Sequence, residues 1–164
     1  MLIDEEVLAV VLAIILVSGV FTVSQAFLSG RVTEPFSELA ILGPEMKIAD
    51  YPKNVTVGEP FYLYLYVGNH EGRVMYYAVL IKLGDRSTQI NDTDPADAPV
   101  IARYEFVILH DGNVTRPITL SISEPGLNRR LIFELWAFDE GSEGFKYHSR
   151  WCQLWLNATA IEGA

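Results

Sequence analysis

An uncharged apolar run from Val7 to Leu28 constrains this chain more than any other feature. At 1.5 Å of rise per residue it makes a helix of about 33 Å, enough for the roughly 30 Å hydrocarbon layer of a bilayer. Ser18, Thr22, Ser24 and Gln25 are its only polar side chains, and a hydroxyl can bond back to its own helix, so they do not forbid insertion. Ser24-Gln25-Ala26 would suit a signal peptidase, but Asp4-Glu5-Glu6 stands where a secretory signal needs positive charge. The run also exceeds a normal signal core. The expectation is a retained membrane anchor over residues 1–28, in contact with membrane lipid.

Two signals disagree about orientation. Arg31 and Lys47 follow the run, and by Lys and Arg counting alone they would keep the C-terminal part inside. Against one or two charges stand four acceptor triplets: Asn54-Val55-Thr56, Asn91-Asp92-Thr93, Asn113-Val114-Thr115 and Asn157-Ala158-Thr159. The chain has only six Asn, so four in this context argue for N-glycosylation at Asn54, Asn91, Asn113 or Asn157 and for an external domain. The expected location is therefore the cell membrane, single-pass, with the C-terminal domain outside.

Residues 29–35, with Gly30 and Pro35, read as a linker, and residues 36–164 as one extracytoplasmic domain of ordinary size. All three Trp and all eight Tyr lie in this part, which excludes a disordered tail. The net charge of −9 excludes a nucleic-acid partner, since phosphate binding needs clustered Lys and Arg and only Arg129-Arg130 adjoin. Cys152 is alone, so no internal disulfide forms and the domain must hold by packing.

After the anchor the pattern is that of strands. Residues 61–67 alternate, with Phe61, Leu63, Leu65 and Val67 on one side and Tyr62, Tyr64 and Tyr66 on the other, a period of two in β-forming residues. Asn69-His70-Glu71-Gly72 then supplies a turn into residues 74–83, which predicts a hairpin. Further strands are expected over 36–42, 55–57, 101–110, 118–123, 131–138 and 151–157, separated by turn chemistry such as Asp111-Gly112-Asn113 and Glu124-Pro125-Gly126. Seven or so strands predict a mainly β fold, an immunoglobulin-like β-sandwich behind one transmembrane helix. The Tyr row reads first as packing within that sandwich, and otherwise as an exposed aromatic ladder.

The phrases Phe36-Ser37-Glu38-Leu39-Ala40-Ile41-Leu42-Gly43-Pro44, Tyr51-Pro52-Lys53-Asn54-Val55-Thr56-Val57-Gly58-Glu59 and Val67-Gly68-Asn69-His70-Glu71 resemble, in order and spacing, an archaeal family of membrane proteins of unknown function. The resemblance covers roughly residues 30 to 160. It implies an external domain after a last transmembrane helix, and no activity or catalytic residues. Longer members carry several preceding spans; with a single span here, a function residing in those helices is not expected. The Asn54 to Pro60 phrase is also similar to adhesion-type immunoglobulin-like modules, a likeness of fold alone.

Few residues point to chemistry. His70, His110 and His148 lack the i, i+4 spacing of a zinc site, and isolated histidines near turns usually satisfy local hydrogen bonds. Asp85, Asp92, Asp94 and Asp97 offer oxygen ligands for calcium within one loop, though without the central Gly and terminal Glu of the helix-flanked calcium loop; a solvated acidic loop is the plainer reading. Ser142 in Gly141-Ser142-Glu143-Gly144 is not a nucleophile elbow. No cofactor is expected. Ala9 and Ala13, then Ser18 and Thr22, sit one helical turn apart and allow close packing in a membrane, so an oligomer or membrane partner is open. A pilin-like use of Glu5 lacks the basic processing site it needs.

These readings converge on a non-enzymatic, single-span protein of the archaeal cell envelope that displays a glycosylated domain to an envelope protein or glycan. The alternatives are an accessory or stator-like subunit of a surface filament or larger membrane complex, and a calcium-dependent binder or envelope hydrolase working through the Asp85 to Asp97 loop.

Overall fold

A computed structural model of the chain describes residues 4–29 and 34–160. Most of the expected linker, residues 30–33, lies outside the described residues, as do the chain's first three and last four positions. The chain divides into two units, Met1–Glu34 and Pro35–Ala164.

The described residues of the first unit form one helix, α1 (Glu5–Ser29). Its segment Glu5–Phe27 is long and apolar enough to cross a membrane, with a mean hydropathy of 2.7. Between Val7 and Phe27 only Ser18, Thr22, Ser24 and Gln25 are polar, so α1 has no broad polar face to turn to water. The Thr22 hydroxyl donates to the Ser18 carbonyl at 2.8 Å, the back-bonding that lets a hydroxyl sit in an apolar helix.

The second unit is a two-sheet sandwich built from eight strands. They are β1 (Phe36–Leu42), β2 (Asn54–Thr56), β3 (Phe61–His70), β4 (Met75–Gly84), β5 (Val100–Ile108), β6 (Gly112–Leu120), β7 (Gly126–Asp139) and β8 (Gly144–Thr159). The smaller sheet runs β1-β3-β6 and the larger β2-β8-β7-β4-β5. Among the described residues only the β2–β8 pairing is parallel. Period-two alternation on β3 turns Leu63, Leu65 and Val67 inward, where they meet Tyr77, Val79 and Ile81 of β4 and Phe133 and Leu135 of β7 in one apolar core.

The hairpin expected between β3 and β4 does not form. β3 is flanked by β1 and β6, and β4 by β5 and β7, so neither has a free edge for the other. The chain instead arches from one sheet to the other around Asn69, which is fully buried. Its Nδ2 donates to the carbonyls of Arg73 and Ile108, both at 2.8 Å, and its Oδ1 accepts the Glu71 N–H at 2.9 Å. These bonds replace the ladder that the arch gives up. The residues between β5 and β6 make a second such arch.

Strands β6, β7 and β8 are longer than expected. Gly112 and Asn113 carry turn chemistry and Pro117 has no N–H, yet all three belong to β6. Because β6 is an edge strand, a missing donor on its open side costs no ladder bond.

Candidate binding face

The outer face of the larger sheet is assembled by cross-strand register. Ala78 of β4 lies opposite Glu105 of β5 and Trp136 of β7, and Trp136 lies opposite Tyr147 of β8. One row further along, Tyr76 pairs with Val107 and Phe138 with Phe145. Tyr76, Phe138 and Phe145 interlock, with Tyr76 and Phe138 edge-on to Phe145 at 4.9 and 5.5 Å between centroids, a favoured aromatic geometry. Small Ala78 between Trp136 and Glu105 leaves a cleft of about 270 Å³ lined by Ala78, Leu80, Arg103, Trp136 and Phe145.

The rim of this cleft is polar. The Arg103 guanidinium lies 4.7 Å from the Phe145 ring centre, and its Nε donates to Glu105 at 2.7 Å. The Tyr76 hydroxyl donates to the other Glu105 oxygen. These two bonds hold the Glu105 carboxyl below its ordinary range, which keeps it an acceptor.

Beyond Trp136 the same face is covered. Residues 85–99 cross it as a strap whose Ala96 is 3% exposed. Glu134, fully buried, accepts the Ala96 N–H at 2.6 Å and pairs with Lys82 Nζ at 3.0 Å. Lys82 in turn donates to the Ala96 carbonyl at 2.6 Å, and the Trp136 indole N–H donates to Glu134 at 3.0 Å. The buried ion pair thus has its spare donors and acceptors filled by strap backbone and indole, the condition under which such a pair is tolerated. Tyr147 donates to the Asn91 carbonyl at 2.8 Å, and Arg130 donates to the Thr88 carbonyl.

The outer face of the smaller sheet carries Tyr62, Tyr64 and Tyr66, so inward packing of the Tyr row is corrected. Leu63, Leu65 and Val67 take the interior, and the period of two puts the hydroxylated rings outside. Tyr62 is 66% exposed; Tyr66 donates to Glu38 at 2.7 Å.

The three histidines, far apart in sequence, each stand beside a carboxylate. His70 Nδ1 is 3.0 Å from Asp111, His110 Nε2 is 3.4 Å from the same residue, and His148 Nε2 is 2.9 Å from Glu71. His148 reaches inward because β8 bulges there: Trp136 pairs with Tyr147 but Leu135 with Arg150. It meets Ser37 Oγ at 2.9 Å, and Ser37 also contacts Glu71 and Tyr77, each at 2.6 Å. A serine nucleophile relay needs the acid on the far ring nitrogen. Here one Nε2 faces both Ser37 and Glu71, and Ser37 is 3% exposed. The cluster is a polar clamp tying β1 to β4 and β8. Burial raises the Glu71 carboxyl, but hydrogen bonds from Ser37 and His148 outweigh it and hold the group below its ordinary value.

Asp85, Asp92, Asp94 and Asp97 are exposed on the strap. Asp85 accepts from the Ser87 N–H and hydroxyl at 2.8 and 2.6 Å, and Asp94 from Thr93 and Asn91 at 2.9 and 3.1 Å. Both are thereby spent on local turns. Among the described residues no group of three or more His, Cys, Asp or Glu could hold a metal ion. Of the four asparagines in Asn-x-Thr triplets, Asn54, Asn91 and Asn113 are exposed. Asn157 is half-buried, donates to Asn54 Oδ1 at 3.0 Å and accepts the Asn128 N–H at 2.9 Å.

The architecture is that of an immunoglobulin-like sandwich following an apolar helix. The chain belongs to the family described as a domain of unknown function (DUF1616), whose model matches residues 31–157. No curated protein matches it. Similar solved structures include the CARDB domain of the PF1109 protein from Pyrococcus furiosus, crystallised with di-metal ions, at 10% identity and a TM-score of 0.48 over 79% of this chain and 95% of that one. A β-glucosidase from Listeria innocua is similar at 13% identity and a TM-score of 0.43 over 76% of this chain and 16% of that one. The soluble domain of PmoD from Methylocystis sp. is similar at 12% identity and a TM-score of 0.39, over 79% and 95%. At these scores none of their ligands or activities is carried to this chain.

Proposed function

We propose that this chain is a single-span protein of the archaeal cell envelope that holds its sandwich outside the membrane as a glycosylated binding domain for protein or glycan, without catalysing a reaction. The archaeal setting rests on the motif resemblance alone. The observation that carries the reading is the pairing of an all-round apolar helix, Glu5–Ser29, with a packed domain whose acceptor residues Asn54, Asn91 and Asn113 are exposed. A membrane supplies the apolar surroundings that α1 lacks. The aromatic face of the larger sheet supplies a surface for recognition.

Protease treatment of intact cells, with mass measurement before and after deglycosylation, tests this. The expected result is digestion of the domain from outside and a glycan on Asn54, Asn91 or Asn113, with Asn157 the least occupied. A protected, unmodified domain would sink the reading.

A second reading, an accessory or stator-like subunit of a surface filament or larger membrane complex, is favoured by the one-turn spacing of Ala9 and Ala13, and of Ser18 and Thr22, on α1. Small residues on one helix side permit close helix packing. Co-purification of filament or membrane-complex subunits from native membranes would select it.

A further inference from the structure

We infer that the cleft between Trp136 and Phe145 is a saccharide subsite that takes a single pyranose ring. The inference rests on the reading of the larger sheet's outer face as the binding surface, and it names the ligand class for that face.

A pyranose has apolar C–H faces and an equatorial belt of hydroxyls, each both donor and acceptor. Its site must therefore pair aromatic walls with a mixed donor and acceptor rim. The cleft has both. Trp136 forms the aromatic wall, Phe145 with the Arg103 guanidinium over its ring the opposite side, and Ala78 and Leu80 the floor. Only the Nε of Arg103 is used, on Glu105; its Nη groups have no hydrogen-bond partner among the described residues and are left to donate. Glu105 takes one bond on each oxygen, from Arg103 and Tyr76, and a carboxylate has lone pairs for further donors. At about 270 Å³ the cleft falls just below the roughly 300–1,000 Å³ of drug-sized ligand sites, which suits one ring.

A peptide fits less well. Extended peptides bind sheets through unpaired strand edges, whereas the cleft is centred on β4 and β7, each paired on both sides. Recognition there runs through side chains alone. An organic cation is disfavoured too, since Arg103 already occupies the Phe145 face.

The test uses the full-length chain in lipid nanodiscs, free of glycoside detergents, with the methyl glycosides of glucose, mannose, galactose and N-acetylglucosamine as probes in saturation-transfer NMR. The expected result is transfer to ring C–H protons of at least one probe. Affinity should fall about tenfold or more in Arg103→Ala, an exposed position, as loss of a charged hydrogen bond predicts, and transfer should vanish in Ala78→Leu, which fills the floor. Absence of transfer from every probe overturns the inference, as does binding that both variants leave unchanged. Capture of an envelope protein by the wild type but not by Arg103→Ala, with no glycoside bound, also overturns it in favour of a protein partner. Protease accessibility reports separately on the display reading, so a domain found inside the cell fails that reading whatever the NMR shows.

Discussion

The two outer faces of the sandwich both carry aromatic rings, and they are built in opposite ways. On the smaller sheet the rings come from one strand, Tyr62, Tyr64 and Tyr66, and stand toward water with Tyr62 two-thirds exposed. On the larger sheet they come from β4, β7 and β8, interlock at centroid distances of 4.9 to 5.8 Å, and adjoin a buried ion pair under the strap. A row along one strand needs only the period of two. A cluster across strands needs a particular register and strand order, and it is the arrangement that creates concavity.

If Glu134 pins the strap, Glu134→Ala should give the largest loss of stability, because it leaves Lys82 buried without its partner and frees the Ala96 N–H. Chemical denaturation should show about 3–5 kcal/mol, the cost of orphaning a buried charge. Lys82→Met combined with Glu134→Leu should recover most of that. Equal losses in the single and double variants would show that the pair does not organise this face.

The seam joining the two sheets offers the next test. Ser37→Ala removes the hydroxyl shared by Glu71, Tyr77 and His148 and should cost about 1–3 kcal/mol, the range for stranding a buried polar group. Glu71 also sets a pH dependence. Its folded pKa is lowered, so its contribution is present above the unfolded value near 4.5 and is lost as pH falls through the folded one. Glu71→Gln should therefore flatten the acid side of the stability profile, as followed by urea midpoints.

Cys152 faces the opposite limb. Burial pushes its thiol up to about 12 from 9.0, so its stabilising effect is complete below the unfolded value and fades as pH rises toward the folded one. Alkylation at pH 9 should be much slower in the folded protein than in denaturant, and a Cys152→Ala variant should lose part of the alkaline decline, the rest belonging to tyrosines such as Tyr147, whose hydroxyl burial also pushes up to about 12. Comparable labelling rates would place the thiol in solvent.

The smallest effect belongs to the exposed Tyr row. Tyr62→Ser should change stability by less than about 0.5 kcal/mol, against a multi-kilocalorie loss at Glu134. A large loss at Tyr62 would mean that the smaller sheet's face is covered after all.

Much of the fold was legible because its signals are local. The run from Val7 to Leu28 marks a helix by length and hydropathy, and the alternation over residues 61–67 marks a strand and which side faces inward. What failed was pairing: turn residues Asn69 to Gly72 read as a hairpin, but strand edges are assigned by competition among all eight strands. The candidate site was not legible at all. Ala78, Arg103, Glu105, Trp136 and Phe145 have no shared spacing, and only the antiparallel register of β5, β4, β7 and β8 sets them side by side. Arg103 and Glu105, two apart on β5, were the one pattern that could have hinted at a common face.

The amino-acid sequence by itself determined an apolar helix and a β-rich domain, since these follow from period, length and composition within single segments. Tertiary structure alone decided that residues 85–99 form a pinned strap, that His148 turns inward through a bulge, and that a cleft opens over Ala78. Each of these depends on contacts between residues tens of positions apart, which no local pattern encodes.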